Sequence, residues 1–273
     1  MRWLTLKIFV AAAAFFVGVT AASIWFVHHT SNTREVKAVV PSATPPALSV
    51  TENAFADDVK SSGIKLLTTG QFHADEVTAK TGERWFGLYP TANGYALIRS
   101  TLRIEKVHDQ IVDEKPGVKT GKSVGVDQSG VRVFLVKGAN MLRPRSVVTL
   151  FESSEETLGN KSVVDFKLGG VNYRLSVVSD DPRPDSYAFP KGAKLLLSSP
   201  TMTQVLFPYS DDEMDEPSIR LDWAGDLDAD GKLDLYMHLN HHYNVSCGVL
   251  LLSSQAGEGQ LVRAVADFIA VGC

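Results

Sequence analysis

The sequence is short of the features that mark several common classes of protein. Its formal net charge of only −4 gives no nucleic-acid-binding signature, so nucleic acid is not an expected partner. No unit repeats at a fixed period, which argues against a multi-bladed propeller. Cysteine is scarce, with only Cys247 and Cys273 in the chain. Neither lies near the apolar segment at the N-terminus, which excludes a lipoprotein.

The two cysteines fit an oxidising compartment. A bridge between Cys247 and Cys273 would close a loop of about 25 residues and add roughly 3 kcal/mol of stability if its geometry is unstrained. Two unconnected thiols are the alternative. We expect the bridge, which would pin the end of the chain to a strand.

Charge is absent from the twenty residues between Ile8 and Val27. As a helix rising about 1.5 Å per residue, this run spans roughly 30 Å, the thickness of the hydrocarbon layer. Trp25 stands where an interfacial aromatic residue is useful. The sequence therefore predicts a transmembrane anchor over residues 1–27, single-pass in an inner membrane, with the C-terminal body in the periplasm. A cleaved signal peptide is the alternative, and it would make the protein secreted.

Residues 28–58 are dominated by Pro, Ser, Thr and Ala and show no amphipathic period. Such a composition predicts a disordered tether between membrane and domain. From residue 59 to 273 the sequence consists of short apolar runs, in many of which apolar and polar residues alternate, separated by Gly, Pro, Asp and Asn.

These runs predict an all-β or β-dominated extracytoplasmic domain, built as a sandwich or as barrel-like sheets. Clear strand candidates are 84–89 and 94–107, and a hairpin is expected across Gly169-Gly170. Sustained helical periodicity is missing from this part, although 261–268 (LVRAVADF) could form a short helix.

Acidic residues are concentrated in one neighbourhood, with ten between Asp211 and Asp234 opposed only by Arg220 and Lys232. Within it, "GDLDADGKLDL" (225–235) places aspartates at alternate positions around Gly231. Alternating residues of a tight loop can point at one centre, and a hard cation there takes six to eight oxygens. The expected metal ligands are the carboxylates of the four aspartates and the carbonyl of Lys232, that is Asp226, Asp228, Asp230, Lys232 and Asp234.

This stretch resembles the calcium-binding loop D-x-D-x-D-G-x-x-D of FG-GAP and VCBS-type repeats, through Asp226, Asp228, Asp230, Gly231 and Asp234. The resemblance covers about 20 residues and occurs once, and the rest of the chain resembles no such family. It implies a bound Ca²⁺ and a local hairpin. An EF-hand fits less well, because Met237 stands where that loop needs a bidentate Glu. Another divalent ion or a solvated acidic turn are the alternatives.

Three histidines follow the acidic loop at spacings that metal ligands can have: His238, His241 and His242. Leu233, Leu235, Met237 and Leu239 alternate as the inward face of a strand. We therefore expect His238, together with Asp234 and Tyr236, to point outward, and the other two histidines to lie in an exposed loop.

No convincing catalytic constellation is present, so the chain is not expected to be an enzyme. The favoured hypothesis is a membrane-anchored, calcium-stabilised β domain with a binding or structural role toward a protein or envelope component. One alternative is a metal-dependent hydrolase that uses the acidic loop and the adjacent histidines. The other is an inhibitor or immunity-type protein that binds a basic partner through the acidic residues 211–216.

Overall fold

The computed structural model describes residues 54–130, 133–153, 157–182, 189–208 and 214–272. Within these ranges the chain is β-dominated, with one α-helix, α1 (Ala54–Ser62), and a 3-10 turn, Ser253–Gln255. The strands are β1 (Lys65–Leu67), β2 (Gly70–Phe72), β3 (Arg84–Thr91), β4 (Gly94–Val107), β5 (Gly121–Val126), β6 (Leu135–Lys137), β7 (Arg145–Glu152), β8 (Val163–Leu168), β9 (Val171–Val178), β10 (Lys194–Ser198), β11 (Thr203–Pro208), β12 (Ser218–Asp226), β13 (Asp234–Asn240), β14 (Val245–Leu252) and β15 (Arg263–Val271).

The larger of two sheets has eleven strands in the order β1-β6-β3-β4-β7-β12-β13-β14-β15, and β5 and β2 branch from β4. The sheet curls until its terminal strands, β1 and β15, lie beside each other. It is therefore a nearly closed, barrel-like sheet, which confirms the prediction of a β-dominated domain. The described β1 and β15 are neighbours without being paired as strands.

The smaller sheet has four antiparallel strands in the order β11-β10-β9-β8. Its first hairpin joins Leu168 to Val171 through Gly169 and Gly170, whose φ angles are 57° and 81°. Two consecutive residues with positive φ are what a two-residue turn of this hand requires, and glycine adopts them without strain. The predicted hairpin is confirmed.

Two hydrophobic cores share the strands β12, β13 and β14. One core fills the inside of the curled sheet around Phe134, Trp223 and Tyr236. The other lies between these strands and the four-stranded sheet, around Leu195 and Met237. The middle strands are buried on both faces for this reason, and we call them the shared wall.

The shared wall corrects the expected orientation of β13. One face of the strand does lie against a core, as the alternation indicates: Leu233, Leu235, Met237 and Leu239. The opposite face is not outward, however, because it is covered by the inside of the curled sheet: Asp234 is 0% exposed, Tyr236 1% and His238 9%. Alternation in the sequence identified one buried face and could not show that a second core covers the other.

Two further local predictions differ from the structure. Residues 261–268 are not a helix, since β15 begins at Arg263 and runs through them. Residues 54–58, placed in the tether by their composition, belong to α1. This helix packs against β15, and Arg263 donates a 2.7 Å hydrogen bond to Asp58.

The anchor predicted over 1–27 and most of the tether lie outside the described residues. Within the described ranges, no helix is long and apolar enough to cross a membrane. Cys247 is buried, and no described residue forms a disulfide with it. Its expected partner Cys273 lies outside the described residues, so the bridge stays a prediction.

Candidate metal centre

The acidic loop connects β12 to β13 at one end of the shared wall. Gly225 pairs with Asp234 across the two strands, so the chain leaves and returns at the same place. The tip of the loop turns back through Ala229 and Gly231, with φ angles of 65° and 78°. Gly231 takes this left-handed conformation without cost, whereas Ala229 is strained in it.

Three of the predicted ligands converge. Each of Asp226, Asp228 and Asp234 offers a carboxylate oxygen, and these atoms lie within 4.8 Å of one another. Asp226 and Asp234 are buried and Asp228 is half-buried. Like charges this close repel strongly, so a bound cation, or a proton on one of the carboxylates, would stabilise the arrangement.

Asp226 also shapes the loop. Its Oδ1 accepts a 2.7 Å hydrogen bond from the N–H of Ala229, and its Oδ2 accepts a 3.1 Å bond from the N–H of Gly231. The nearest cationic side chain is Arg145 on β7, whose Nη2 lies 3.9 Å from Asp226 Oδ1. The same nitrogen donates a 3.1 Å bond to the carbonyl of Asp226, so it holds the start of the loop to β7.

Asp234 is the most deeply buried of the group. Its carboxylate accepts 2.8 Å bonds from the N–H of Leu227 and from both the N–H and the hydroxyl of Ser253. Burial raises the pKa of Asp234 to about 8, the charge of Asp228 adds to this, and the hydrogen bonds oppose it. No Lys, Arg or His of the described chain forms an ion pair with Asp234.

Asp230 and Lys232 stand apart from the converging carboxylates. Asp230 is exposed and accepts a 2.8 Å bond from the N–H of Lys232, with Ser253 Oγ 3.0 Å from its Oδ2. Lys232 is exposed as well. Their roles as ligands stay predictions, since the convergence brings together Asp226, Asp228 and Asp234 only.

Sequence reasoning missed two serines that contact the aspartates. Ser253 and Ser254 follow β14 in the 3-10 turn, where Ser253 bonds Asp234 and the hydroxyl of Ser254 bonds the carboxylate of Asp228. Ser253 has one hydroxyl hydrogen, so it donates to Asp230 or to Asp234 at any moment. The serines lie 19 and 26 residues from these partners, and no local pattern signals them.

The histidines do not join the aspartates. The one group of side chains in the described ranges with a geometry suited to a metal contains no histidine. His238 instead lies with its Nδ1 2.6 Å from Asp222 Oδ2, and Arg220 Nε lies 2.5 Å from Asp222 Oδ1. His242 is 3.5 Å from Asp215.

A second acidic turn was also missed, in the loop 108–120 between β4 and β5. Asp109 Oδ2 lies 2.5 Å from His73 Nδ1, and its other oxygen accepts bonds from two backbone N–H groups. Asp113 accepts a 2.6 Å bond from the hydroxyl of Thr120 and two more from backbone N–H groups. The hydrogen bond from His73 is the main reason why the pKa of Asp109 falls below its usual range.

Comparison with known proteins identifies no relative. No protein-family model, no curated protein and no solved structure matches this chain.

Proposed function

We propose that this chain is a membrane-anchored, extracytoplasmic β domain with a binding or structural role, and that one Ca²⁺ held by the loop 226–234 stabilises it. The observation that supports the ion best is the convergence of Asp226, Asp228 and Asp234 within 4.8 Å. The apolar, uncharged run from Ile8 to Val27 supports the anchor.

The donor set favours a hard cation. Carboxylate oxygens are the ligands that Ca²⁺ prefers, and its flexible coordination of six to eight oxygens accepts water in the remaining positions. Nitrogen and sulfur ligands, which zinc prefers, are missing from the group. Arg145, 3.9 Å from Asp226, carries one positive charge, which is fewer than three carboxylates need.

The ion's role in this proposal is structural. Ser253 and Ser254 connect the loop to the end of β14 through hydrogen bonds to its aspartates. The hairpin of the four-stranded sheet also approaches it, since a Cβ on Gly169 would lie 2.7 Å from the carbonyl oxygen of Gly231. An ion at this junction would fix a corner where both cores meet, and in a calcium-rich outer compartment it would be permanently bound rather than a signal.

The test is a calorimetric titration of the chelated full-length chain with Ca²⁺, with thermal melting in parallel. We expect about one ion per chain. At a free concentration 100 times the dissociation constant, the ion should add about 2.7 kcal/mol to the free energy of unfolding.

The double variant Asp226→Asn with Asp228→Asn should lose both the heat and the shift in melting temperature. Asp165→Asn is the matched control, because this exposed aspartate pairs with Arg174 in the other sheet. No heat and an unchanged melt in the parent protein would refute the calcium site.

A further inference from the structure

Apolar side chains are exposed at one end of the curled sheet. Ile111 and Val112, in the loop 108–120, are 60% and 59% exposed, and Val271, at the end of β15, is 46% exposed. Val271 lines two surface grooves, one together with Val112 and the other together with Ile111. These three side chains therefore form one surface, which we call the apolar patch. A single exposed valine is ordinary, whereas a contiguous apolar group is typical of interaction surfaces.

Hydrogen bonds fix the loop in the shape that exposes Ile111 and Val112. Asp109 Oδ1 accepts bonds of 3.0 and 3.2 Å from the N–H groups of these two residues. Asp113 accepts a 2.6 Å bond from the hydroxyl of Thr120, at the far end of the loop. Both aspartates are buried, so the loop is held from within. The two apolar side chains cannot turn back onto the domain unless these bonds break, and they can leave water only against another surface.

The segment 73–76 borders the patch on an acidic side. It lines a groove together with Val112 and Val271, and it carries two carboxylates, Asp75 and Glu76. Asp75 is exposed and forms no ion pair within the described chain. Glu76 is half-buried, and its Oε1 accepts a 2.6 Å bond from the N–H of Val271.

The loop 108–120 is basic on its exposed surface. Lys115 and Lys119 are exposed, and Glu114 is the one exposed carboxylate of the loop, because its two aspartates are buried. Neither lysine forms an ion pair within the described chain. The patch is thus bordered by carboxylates on one segment and by ammonium groups on the other.

Such a surface is complementary to a second copy of itself. In a two-fold dimer both chains use the same patch, so the loop of one copy faces the segment 73–76 of the other. The apolar side chains then cover each other at the centre, with opposite charges around them. The mixed border fits an anionic bilayer less well, because Asp75 and Glu76 would face its phosphates.

We propose that two copies of this chain associate through the apolar patch, with Ile111 and Val112 of the two chains in mutual contact. Lys115 and Lys119 of each chain face Asp75 of the other. Three exposed side chains form a small contact, so the pairing is weak and reversible. This inference depends neither on the proposed ion nor on the proposed anchor.

The test is cross-linking of the full-length chain, reconstituted in phosphatidylcholine vesicles at a series of protein-to-lipid ratios. Gln110→Cys serves as the reporter, because Gln110 is exposed and lines the same groove as Ile111. A short bis-maleimide joins two reporter thiols, and mass spectrometry identifies which cysteines are joined. The dimer linked through position 110 should increase with the amount of protein per lipid.

The apolar centre is tested by Ile111→Ser with Val112→Ser in the reporter chain. This pair of changes should lower the yield of linked dimer about tenfold, because the apolar area that the two chains bury together is lost. The melting temperature should hardly change, since both side chains are exposed in the single chain.

The charged border is tested by exchanging charges between copies. Lys115→Glu with Lys119→Glu, or Asp75→Lys, should each lower the dimer yield about tenfold, because like charges then meet across the two-fold axis. A mixture of these two variants should restore it, since each supplies the charge that the other has lost. Lys167→Glu, at an exposed position on β8, is the control and should leave the yield unchanged.

Three results would overturn the proposal. The first is a linked dimer that the serine variant forms as readily as the parent reporter. The second is a mixture of the charge variants that yields no more dimer than either variant alone. The third is the lack of any dimer linked through position 110. In that case, a reporter thiol that is also shielded from a membrane-impermeant maleimide would show that lipid covers the patch instead.

Discussion

Two loops of this molecule bury aspartates in tight turns, and the partners of the aspartates differ between the two loops. In the loop 108–120, Asp109 meets His73 and Asp113 meets Thr120, and the pKa values of both aspartates fall below their usual range. In the loop 226–234, burial raises the pKa of Asp234 to about 8, and its bonding partners are uncharged.

The first loop balances its charge with a described side chain, whereas for the second we propose a bound cation. Backbone N–H groups and hydroxyls lower the cost of burying a carboxylate, and its repulsion from two neighbours is offset either by a positive charge or by uptake of a proton, which the raised pKa of Asp234 favours. The 108–120 loop takes that charge from an imidazole, and the 226–234 loop is proposed to take it from Ca²⁺.

Asp234→Ala should have the largest effect. It leaves the buried N–H groups of Leu227 and Ser253 without their acceptor and opens a small cavity, which together cost about 3 kcal/mol of unfolding free energy. Urea denaturation in chelator measures it. Asp230→Ala, at an exposed position, is the control and should cost much less. Equal losses of unfolding free energy in the two variants would contradict the expectation that Asp234 stabilises the loop more than Asp230 does.

Ser253→Ala should have a smaller effect, about 1 kcal/mol, because one hydroxyl donor to the carboxylates is lost. Thr120→Val is its counterpart in the other loop, where the hydroxyl bonds Asp113. Chemical denaturation with and without Ca²⁺ distinguishes them. The cost of Ser253→Ala should change with calcium and that of Thr120→Val should not, and the reverse result would contradict the comparison.

His73→Gln should have the smallest effect, and it should depend on pH. The pKa of His73 is raised above 6.5, mainly by its hydrogen bond with Asp109, so its contribution is complete below 6.5 and fades as pH rises through the raised value. The pKa of Asp109 is lowered below 3.8, so its contribution is complete above 3.8 and fades on acidification below that.

The difference in melting temperature between parent and His73→Gln should therefore be largest between pH 3.8 and 6.5. A difference that stays constant from pH 4 to 9 would mean that the pair contributes through packing rather than charge.

The two loops also show what a sequence can and cannot predict. Asp226, Asp228 and Asp234 are close along the chain, so their spacing alone indicated that they could converge. His73 lies 36 residues from Asp109, and Ser253 lies 19 from Asp234. Such partners meet only because particular strands become neighbours in the sheet, and no local pattern carries that information.

The strands follow the same rule. β4 has the predicted bounds, 94–107, and β3 (Arg84–Thr91) extends the predicted 84–89 by two residues, because β-branched and aromatic residues between turn residues favour strands. The three-residue strands β1 and β2 were missed, since so few residues carry no period. The outcome for β13 was mixed: Leu235 and Met237 face a core as expected, whereas Tyr236 and His238 are buried by a second core that alternation does not reveal.

The shared wall determines how the two sheets unfold. The chain leaves the large sheet after β7, builds β8 to β11 and returns as β12, so residues 163–208 are an insertion in sequence. Their packing is not separate, however, because the four-stranded sheet covers Ile219, Leu221 and Met237 of the shared wall. Neither the curled sheet nor the four-stranded sheet can be removed without exposing the apolar surface of the shared wall. We therefore expect the two sheets to unfold together in a single cooperative transition.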